Sequence, residues 1–387
     1  MHELLQSPGA IMCVVGARPN FMKMAPLIRA FRTHPAAPRT LLVHTGQHYD
    51  AAMNDRLFTD LKLRTPDVNL EVGSGTHAQQ TAEVMRRFEP IVDAAQPSCV
   101  IVVGDVNSTL ACSLVSVKKA IPVIHVEAGL RSFDRTMPEE VNRVLTDQIC
   151  DVLYTTERSA AENLLREGIS MQRVHFVGNV MIDSLTASLR HAAPPRTVLA
   201  NSGIDPTFLK DELGFGLVTL HRPSNVDQRD SLSEALAILG AISHKLPLIW
   251  PLHPRTRASI DLFGLWKMVD PRRLAILPPQ GYLETLGLLK DATLVITDSG
   301  GIQEETTALG VPCLTMRENT ERPITVEQGT NVLVGRDRTL IMQHFEEILS
   351  GGGKRGRVPE LWDGMASERI AAHLVPWLAQ RVESAYA

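Results

Sequence analysis

Leu294-Val295-Ile296-Thr297-Asp298-Ser299-Gly300-Gly301-Ile302-Gln303-Glu304-Glu305 is an apolar β-type run that stops at a polar glycine pair and passes into a helical pattern. Glycine lets the backbone approach a ligand closely. The free N–H groups of a first helical turn, with the helix dipole behind them, attract an anion. Ser299 can add a hydroxyl donor. Glu304 and Glu305 are expected in the first turn, where one carboxylate can reach a sugar hydroxyl. The chemistry implied is a phosphate bound beside a polyol, as in a nucleotide sugar. The same string also fits an ordinary strand-to-helix loop with an N-cap serine.

Further polar groups follow other apolar runs. Gly16-Ala17-Arg18-Pro19-Asn20-Phe21-Met22-Lys23 offers a rigid guanidinium fork suited to phosphate or carboxylate, and a lysine expected in the first turn of the next helix. These are either two surface cations or an anion site. Asp105, after Gly104, is either an N-cap or a strand-end acid or base. Glu127 ends the run into His125-Val126-Glu127-Ala128-Gly129-Leu130-Arg131, where burial without a partner costs several kcal/mol. In Pro138-Glu139-Glu140-Val141-Asn142-Arg143, Pro138 fits a helix N1 position, and Glu139 and Arg143 are spaced to pair on one face. His221 and His253 each follow a strand-like run, and Arg322, beside Glu321, can clamp a diphosphate. Several carboxylates near one site push their pKa values apart, which suits acid/base work.

These groups need a scaffold, and the pattern supplies one. Short Val/Ile/Leu-rich runs alternate with helical stretches, which reads as α/β with parallel sheets buried on both faces. Strands are expected at Ile11–Val15, Thr40–Val43, Cys99–Val103, Val123–Val126 and Val152–Tyr154. A second series is Gly216–Leu220, Leu248–Trp250, Leu274–Leu277, Leu294–Thr297 and Cys313–Met316. The expectation is two doubly wound, Rossmann-like domains facing a cleft: residues 1–185, completed by a C-terminal helix over 366–387, and residues 186–365. A hinge is placed near Leu189–Leu209, which shows little periodicity and contains Pro194-Pro195. Ligands of such sheets bind beyond the carboxyl ends of the strands, where every group above falls.

With 387 residues, 44% hydrophobic and 21% charged, the chain has globular composition and room for two cores. A formal charge of −4 argues against nucleic acid or an anionic membrane as partner. Cysteines at 13, 99, 112, 150 and 313 show no CxxC or Cys/His spacing. They read as small buried residues of a cytoplasmic protein, with no metal site. The apolar run Ala10–Gly16 is too short for a signal sequence and reads as the first strand. No Gly-x-Gly-x-x-Gly follows it, so no nicotinamide or other cofactor is expected.

In order along the chain stand Gly-Ala-Arg-Pro at 16–19 with Lys23, Gly-Asp at 104–105, and His-Val-Glu-Ala-Gly-Leu-Arg at 125–131. Pro-Glu-Glu-x-Asn-Arg at 138–143, Val-Gly-Asn at 177–179 and His-Arg at 221–222 follow. Asp-Ser-Gly-Gly-Ile-Gln-Glu-Glu at 298–305 and Thr-Glu-Arg-Pro at 320–323 complete the series. This set resembles the non-hydrolysing UDP-N-acetylglucosamine 2-epimerases over nearly the whole chain. The resemblance implies a fold like that of the glycosyltransferase-B class and a homodimer. It also implies interconversion of UDP-GlcNAc and UDP-ManNAc by elimination of UDP to a 2-acetamidoglucal and re-addition. It places Asp105, Glu127 and Glu139 on the acid/base carboxylates, with His221 beside them as a catalytic candidate. Arg18, Lys23, Arg143, Ser299, Gly300, Gly301, Glu305 and Arg322 fall on UDP and substrate positions. Alternatives are a 2-epimerase of a related UDP-2-acetamido sugar (a diacetamido uronic acid or a deoxy sugar) and a glycosyltransferase of the same fold. The better-known branch has Gln-His-Arg-Glu where this chain has Gln47-His48-Tyr49-Asp50. In that branch the segment helps bind a second, activating UDP-GlcNAc, so a less cooperative saturation curve is expected here.

Overall fold

In the computed structural model, which describes residues 8–46 and 58–386, the two series of strands form two separate parallel sheets. Among the described residues the first has seven strands: β1 Ile11–Val15, β2 Thr40–His44, β3 Val68–Asn69, β4 Cys99–Val103, β5 Val123–Ala128, β6 Val152–Thr155 and β7 Val174–Phe176. Their spatial order is β3-β2-β1-β4-β5-β6-β7. The second has six: β8 Gly216–Thr219, β9 Leu248–Pro251, β10 Leu274–Leu277, β11 Leu294–Thr297, β12 Cys313–Thr315 and β13 Asn331–Leu333, in the order β10-β9-β8-β11-β12-β13. Both are doubly wound. The winding reverses between β1 and β4 in one and between β8 and β11 in the other, and loops leaving the carboxyl ends diverge at such points.

The strands form where the sequence is apolar on consecutive positions, because helices cover both faces of each sheet. All five residues of β1 and of β4 are buried. Val100 and Val102 pack with Val84, Phe88 and Val92 of the helix His77–Ala95. In β8, Val218 joins the core that contains Leu232, Leu236 and Trp250, while its neighbour Leu217 faces the opposite core with Leu288 and Leu289. The strands not expected from sequence are β3, β7 and β13. Each is an edge strand of two or three residues, half open to solvent, so none shows a continuous apolar run.

The chain divides into two units. One ends at Ala187 and resumes at Glu360; the other spans Ser188–Pro359. The expected hinge over Leu189–Leu209 is not an irregular linker. It contains the helix Pro195–Asn201 and a 3-10 turn at Pro206–Lys210. Val198 and Leu199 pack into the second unit's core. Pro195 starts that helix, where a missing N–H does no harm, and seven residues are too few for periodicity to show. The C-terminal helix Ala366–Tyr386 belongs to the first unit. Asp183 accepts from Ala366 N at 3.1 Å and Ser367 N at 2.6 Å, and Trp362 Nε1 donates to Thr156 O at 3.1 Å. Among the described residues no helix is long and apolar enough to cross a membrane. The Gln47–Asp50 segment lies outside the described residues.

Candidate active site

In the first unit the polar groups gather beyond β1, β4 and β5. The helix after β1 begins at Arg18, with Pro19 in its first turn. Lys23 is therefore in the second turn, not the first as expected, and Arg18 stands exposed at the helix start. Asn20 folds back to accept from Gly16 N at 3.0 Å and Ala17 N at 2.9 Å, and donates to Val103 O at 3.0 Å, tying the β1 loop to the end of β4. Lys23 Nζ lies 2.5 Å from Glu127 Oε2, and both side chains are buried. A Cβ at Gly104, where φ is +68°, would sit 3.0 Å from that ammonium. The loop before Asp105 thus needs glycine for both its backbone and its space.

Glu127 is held at φ +73°. The pairing of β5 with β6 passes from Val126↔Tyr154 to Ala128↔Thr155, so Glu127 is the extra residue of a bulge. A non-glycine residue in this region costs about 1–3 kcal/mol and persists only where its surroundings impose it. Asp105 does not cap the next helix, whose N-cap is Val106. Instead its carboxylate pairs with Arg143, which also donates to Glu140 Oε2 at 2.6 Å. The expected Glu139–Arg143 pair is replaced by this three-residue spacing. Glu140 is turned inward and also accepts from Ser132 N at 3.0 Å and Phe133 N at 2.9 Å, holding the loop ahead of the helix Pro138–Ile149. Asn142 donates to Asp105 O at 2.9 Å. Glu139, in the first turn and half-buried, stays out of these pairs.

In the second unit, Asp298 at the end of β11 is the organising group. Its carboxylate accepts from His221 N at 3.0 Å, Arg222 N at 2.8 Å and Asn225 Nδ2 at 3.1 Å, fixing the loop after β8. His221 Nδ1 lies 3.2 Å from the same carboxylate, its ring partly exposed and 5.3 Å from the His253 ring. The helix Gly300–Leu309 starts at the glycine pair. Ser299 is its N-cap residue, but its hydroxyl does not close the cap, and Ser299, Gly300 and Gly301 are half-exposed. The first turn carries no acid; Glu304 and Glu305 lie in the second turn, buried. Beyond β12, Arg322 pairs with Glu321 at 2.8 Å and with Glu304 at 3.0 Å. Arg317 also pairs with Glu321 at 2.8 Å, and its Nη1 is buried with no hydrogen-bond partner among the described residues. Burial pushes the Glu321 carboxyl up, but Arg322 and Arg317 outweigh it and hold the group well below the usual carboxylate range. The Arg322 guanidinium is thereby fixed beside Gly300 at the helix N-terminus, with Arg317 on the second oxygen of Glu321.

The cysteines offer no nucleophile. All five are free and buried, and burial pushes the Cys13 thiol up to about 12 and the Cys313 thiol up to about 11. What remains are buried, ion-paired carboxylates in one unit and a paired Arg322 beside a helix N-terminus in the other. Residues 30–375 match the family described as UDP-N-acetylglucosamine 2-epimerase. The chain belongs to that family. Among relatives of this epimerase family, a UDP-N-acetylglucosamine 2-epimerase of Methanococcus maripaludis is 42% identical, the match covering 89% of this chain and 95% of that protein. A UDP-2,3-diacetamido-2,3-dideoxy-D-glucuronate 2-epimerase of Pseudomonas aeruginosa is 39% identical over 94% of this chain and 99% of that one. The crystal structure of the Methanocaldococcus jannaschii UDP-GlcNAc 2-epimerase in complex with UDP-GlcNAc and UDP superposes with a TM-score of 0.85 at 39% identity. It covers 95% of this chain and 99% of that one.

The epimerase motifs therefore collect as two clusters, each at the point where its own sheet reverses. Lys23, Asp105, Glu127 and Arg143 form one; His221, Ser299, Gly300, Gly301 and Arg322 form the other. Glu305 stands behind the second, buried in the helix. Sequence reasoning missed Asp298 and Arg317 as site-building groups, and Glu140 as the inward-facing member of its pair. A signal for Asp298 was present, since an acid ending an apolar strand must find donors.

Proposed function

We propose that this chain interconverts UDP-GlcNAc and UDP-ManNAc without hydrolysis. The second unit holds the UDP. The Ser299 hydroxyl and the N–H groups of Gly300 and Gly301, with Arg322 and Arg317, take the diphosphate and other ligand oxygens. The first unit supplies Asp105, Glu127 and Glu139 to the sugar, with Arg18, Lys23 and Arg143 as cationic supports. His221 and Glu305 complete the substrate contacts.

The C2 proton is not α to a carbonyl and is barely acidic until the C1–O bond begins to break. One carboxylate takes that proton. The C2–H electron pair becomes the C1=C2 double bond, and the C1–O pair leaves with UDP. A carboxylic acid on the other face then returns a proton to C2 as a diphosphate oxygen attacks C1. No electron leaves or enters. Fixed cations at the diphosphate lower the barrier because they are oriented before charge develops there.

The observation that supports this reading most strongly is Glu127. Its buried carboxylate is turned by a strained bulge onto Lys23, beside Asp105, beyond β1, β4 and β5. A fold needs no such expense for an ordinary ion pair. Buried, unlinked cysteines agree with a cytoplasmic enzyme, and a homodimer is part of the same reading. The test is incubation with a panel of UDP-sugars and no acceptor, followed by NMR. UDP-GlcNAc should give UDP-ManNAc. Turnover of only the diacetamido uronic acid sugar, or of none without an acceptor, would refute the assignment.

A further inference from the structure

Behind the first cluster lies a second, deeper one. Asp147, on the helix Pro138–Ile149, is fully buried. Its Oδ1 accepts from His125 Nδ1 at 2.6 Å, and its Oδ2 accepts from Gly129 N at 3.0 Å and Arg131 Nη2 at 2.7 Å. His125 Nε2 donates to Gly104 O at 2.8 Å. Arg131 is fixed in turn by Glu167, through Nε at 2.8 Å and Nη2 at 2.7 Å, and by Leu130 O at 2.6 Å. The His125 ring thus bridges the Asp147 carboxylate and the Gly104 carbonyl. Burial pushes the Asp147 carboxyl up, but His125 and Arg131 outweigh it and hold it below the usual range.

Three segments converge on this one carboxylate. Gly104, reached through His125, immediately precedes Asp105. His125 and Gly129 stand two residues before and two after Glu127. The helix that carries Asp147 also carries Arg143, one turn earlier, and Glu139, two turns earlier. The left-handed conformation of Glu127 is therefore pinned on both sides to the element that presents the other groups. We propose that Asp147, acting through His125 and Arg131, is the positioning group that fixes the mutual geometry of Asp105, Glu127 and Glu139. It touches no substrate. The proposal rests on the epimerase reading above.

A network that merely stabilises the unit would change how much protein is folded, not what each folded molecule does. The partition of the glycal is such a per-molecule property, since it either recaptures UDP or escapes. In full-length Asp147→Asn, UDP affinity by calorimetry should stay within about twofold, because UDP is held by the other unit. KM should change little, and kcat should fall about 10²-fold, the effect of a misplacement near 1 Å. The ratio of released UDP and 2-acetamidoglucal to UDP-ManNAc should rise at least ~5-fold, as re-protonation slows relative to escape. Asp183→Asn, which removes a buried carboxylate capping the C-terminal helix, should lose stability but keep the wild-type ratio. Should Asp147→Asn prove insoluble, His125→Gln, which leaves the bonds of Asp147 to Gly129 and Arg131, is read in the same way. Wild-type kcat in a UDP-binding variant, or a ratio equal to that of Asp183→Asn, overturns the proposal. A wild-type control that fails to epimerise UDP-GlcNAc removes the epimerase reading, and the positioning role with it.

Discussion

Gly300→Ala is expected to weaken UDP binding sharply while leaving the fold intact. A Cβ at Gly300 would lie 2.9 Å from Glu321 Oε1, 3.1 Å from Arg322 Nη1 and 3.4 Å from Arg322 Cζ. The first two are inside ordinary van der Waals contact. Long side chains usually swing away, but these are buried and tied: Glu321 to Arg317 at 2.8 Å, Arg322 to Glu304 at 3.0 Å. Relief must come from moving the guanidinium by a few tenths of an ångström, away from the helix N-terminus. Losing one well-aligned charge-assisted hydrogen bond to the diphosphate is worth about 1.5–3 kcal/mol. That converts to a rise of about 10- to 150-fold in Kd. Stability should change little, because alanine regains about 0.5–1 kcal/mol of backbone entropy in a helix against the local strain. Isothermal titration with UDP measures the first quantity and calorimetric melting the second. A UDP affinity within about twofold of wild type would show that Arg322 and the Gly300 turn do not act on the same anion.

Three other outcomes follow from the same geometry. Glu127→Gln should lower kcat by at least ~10² while UDP affinity holds within a few-fold. It should also lower Tm, since Lys23 is left as a buried charge without its carboxylate; adding Lys23→Met should restore Tm but not turnover. A single variant with normal turnover would make Glu127 a structural carboxylate. Arg322→Ala should raise the Kd for UDP more than tenfold (~) through its lost guanidinium, and unchanged UDP binding would move the diphosphate elsewhere. The Glu321 carboxyl is depressed in the fold, so its stabilisation is present above the unfolded value near ~4.5 and drains away as pH falls through the lower folded value. Glu321→Gln should therefore melt below wild type at neutral pH, with a gap that narrows on acidification. A constant gap down to about pH 3 would contradict the pairing with Arg317 and Arg322.

The fold was largely legible because doubly buried strands such as Cys99–Val103 and Leu294–Thr297 announce themselves as unbroken apolar runs. The edge strands β3, β7 and β13 were not, since half-open strands of two or three residues carry no such run. Pro195 looked like a breaker and is a helix start. At the site, residue types were readable but partners were not. Arg143 can reach either Glu139 by four residues or Glu140 by three. Arg143 pairs with Glu140 and also with Asp105, which approaches from the loop after β4. The conformation of Glu127 could not be read at all, because a left-handed glutamate is imposed by tertiary contacts and has no local signature. The offsets of Lys23 and Glu304–Glu305 by one turn came from helices that start earlier than their apolar periodicity does.

In the proposed reaction the C2 proton leaves while the C1–O bond is open. Epimerisation of UDP-GlcNAc in deuterated water, with oxygen-18 in the bridging position between C1 and the phosphate, tests both halves in one NMR experiment. A base on one face cannot hand its own proton to the other face, so UDP-ManNAc should carry deuterium at C2. UDP that departs and returns can attack through another oxygen of the same phosphate, so the label should appear in non-bridging positions. Full retention of the C2 proton with no movement of oxygen-18 would contradict the elimination and the roles given to the carboxylates.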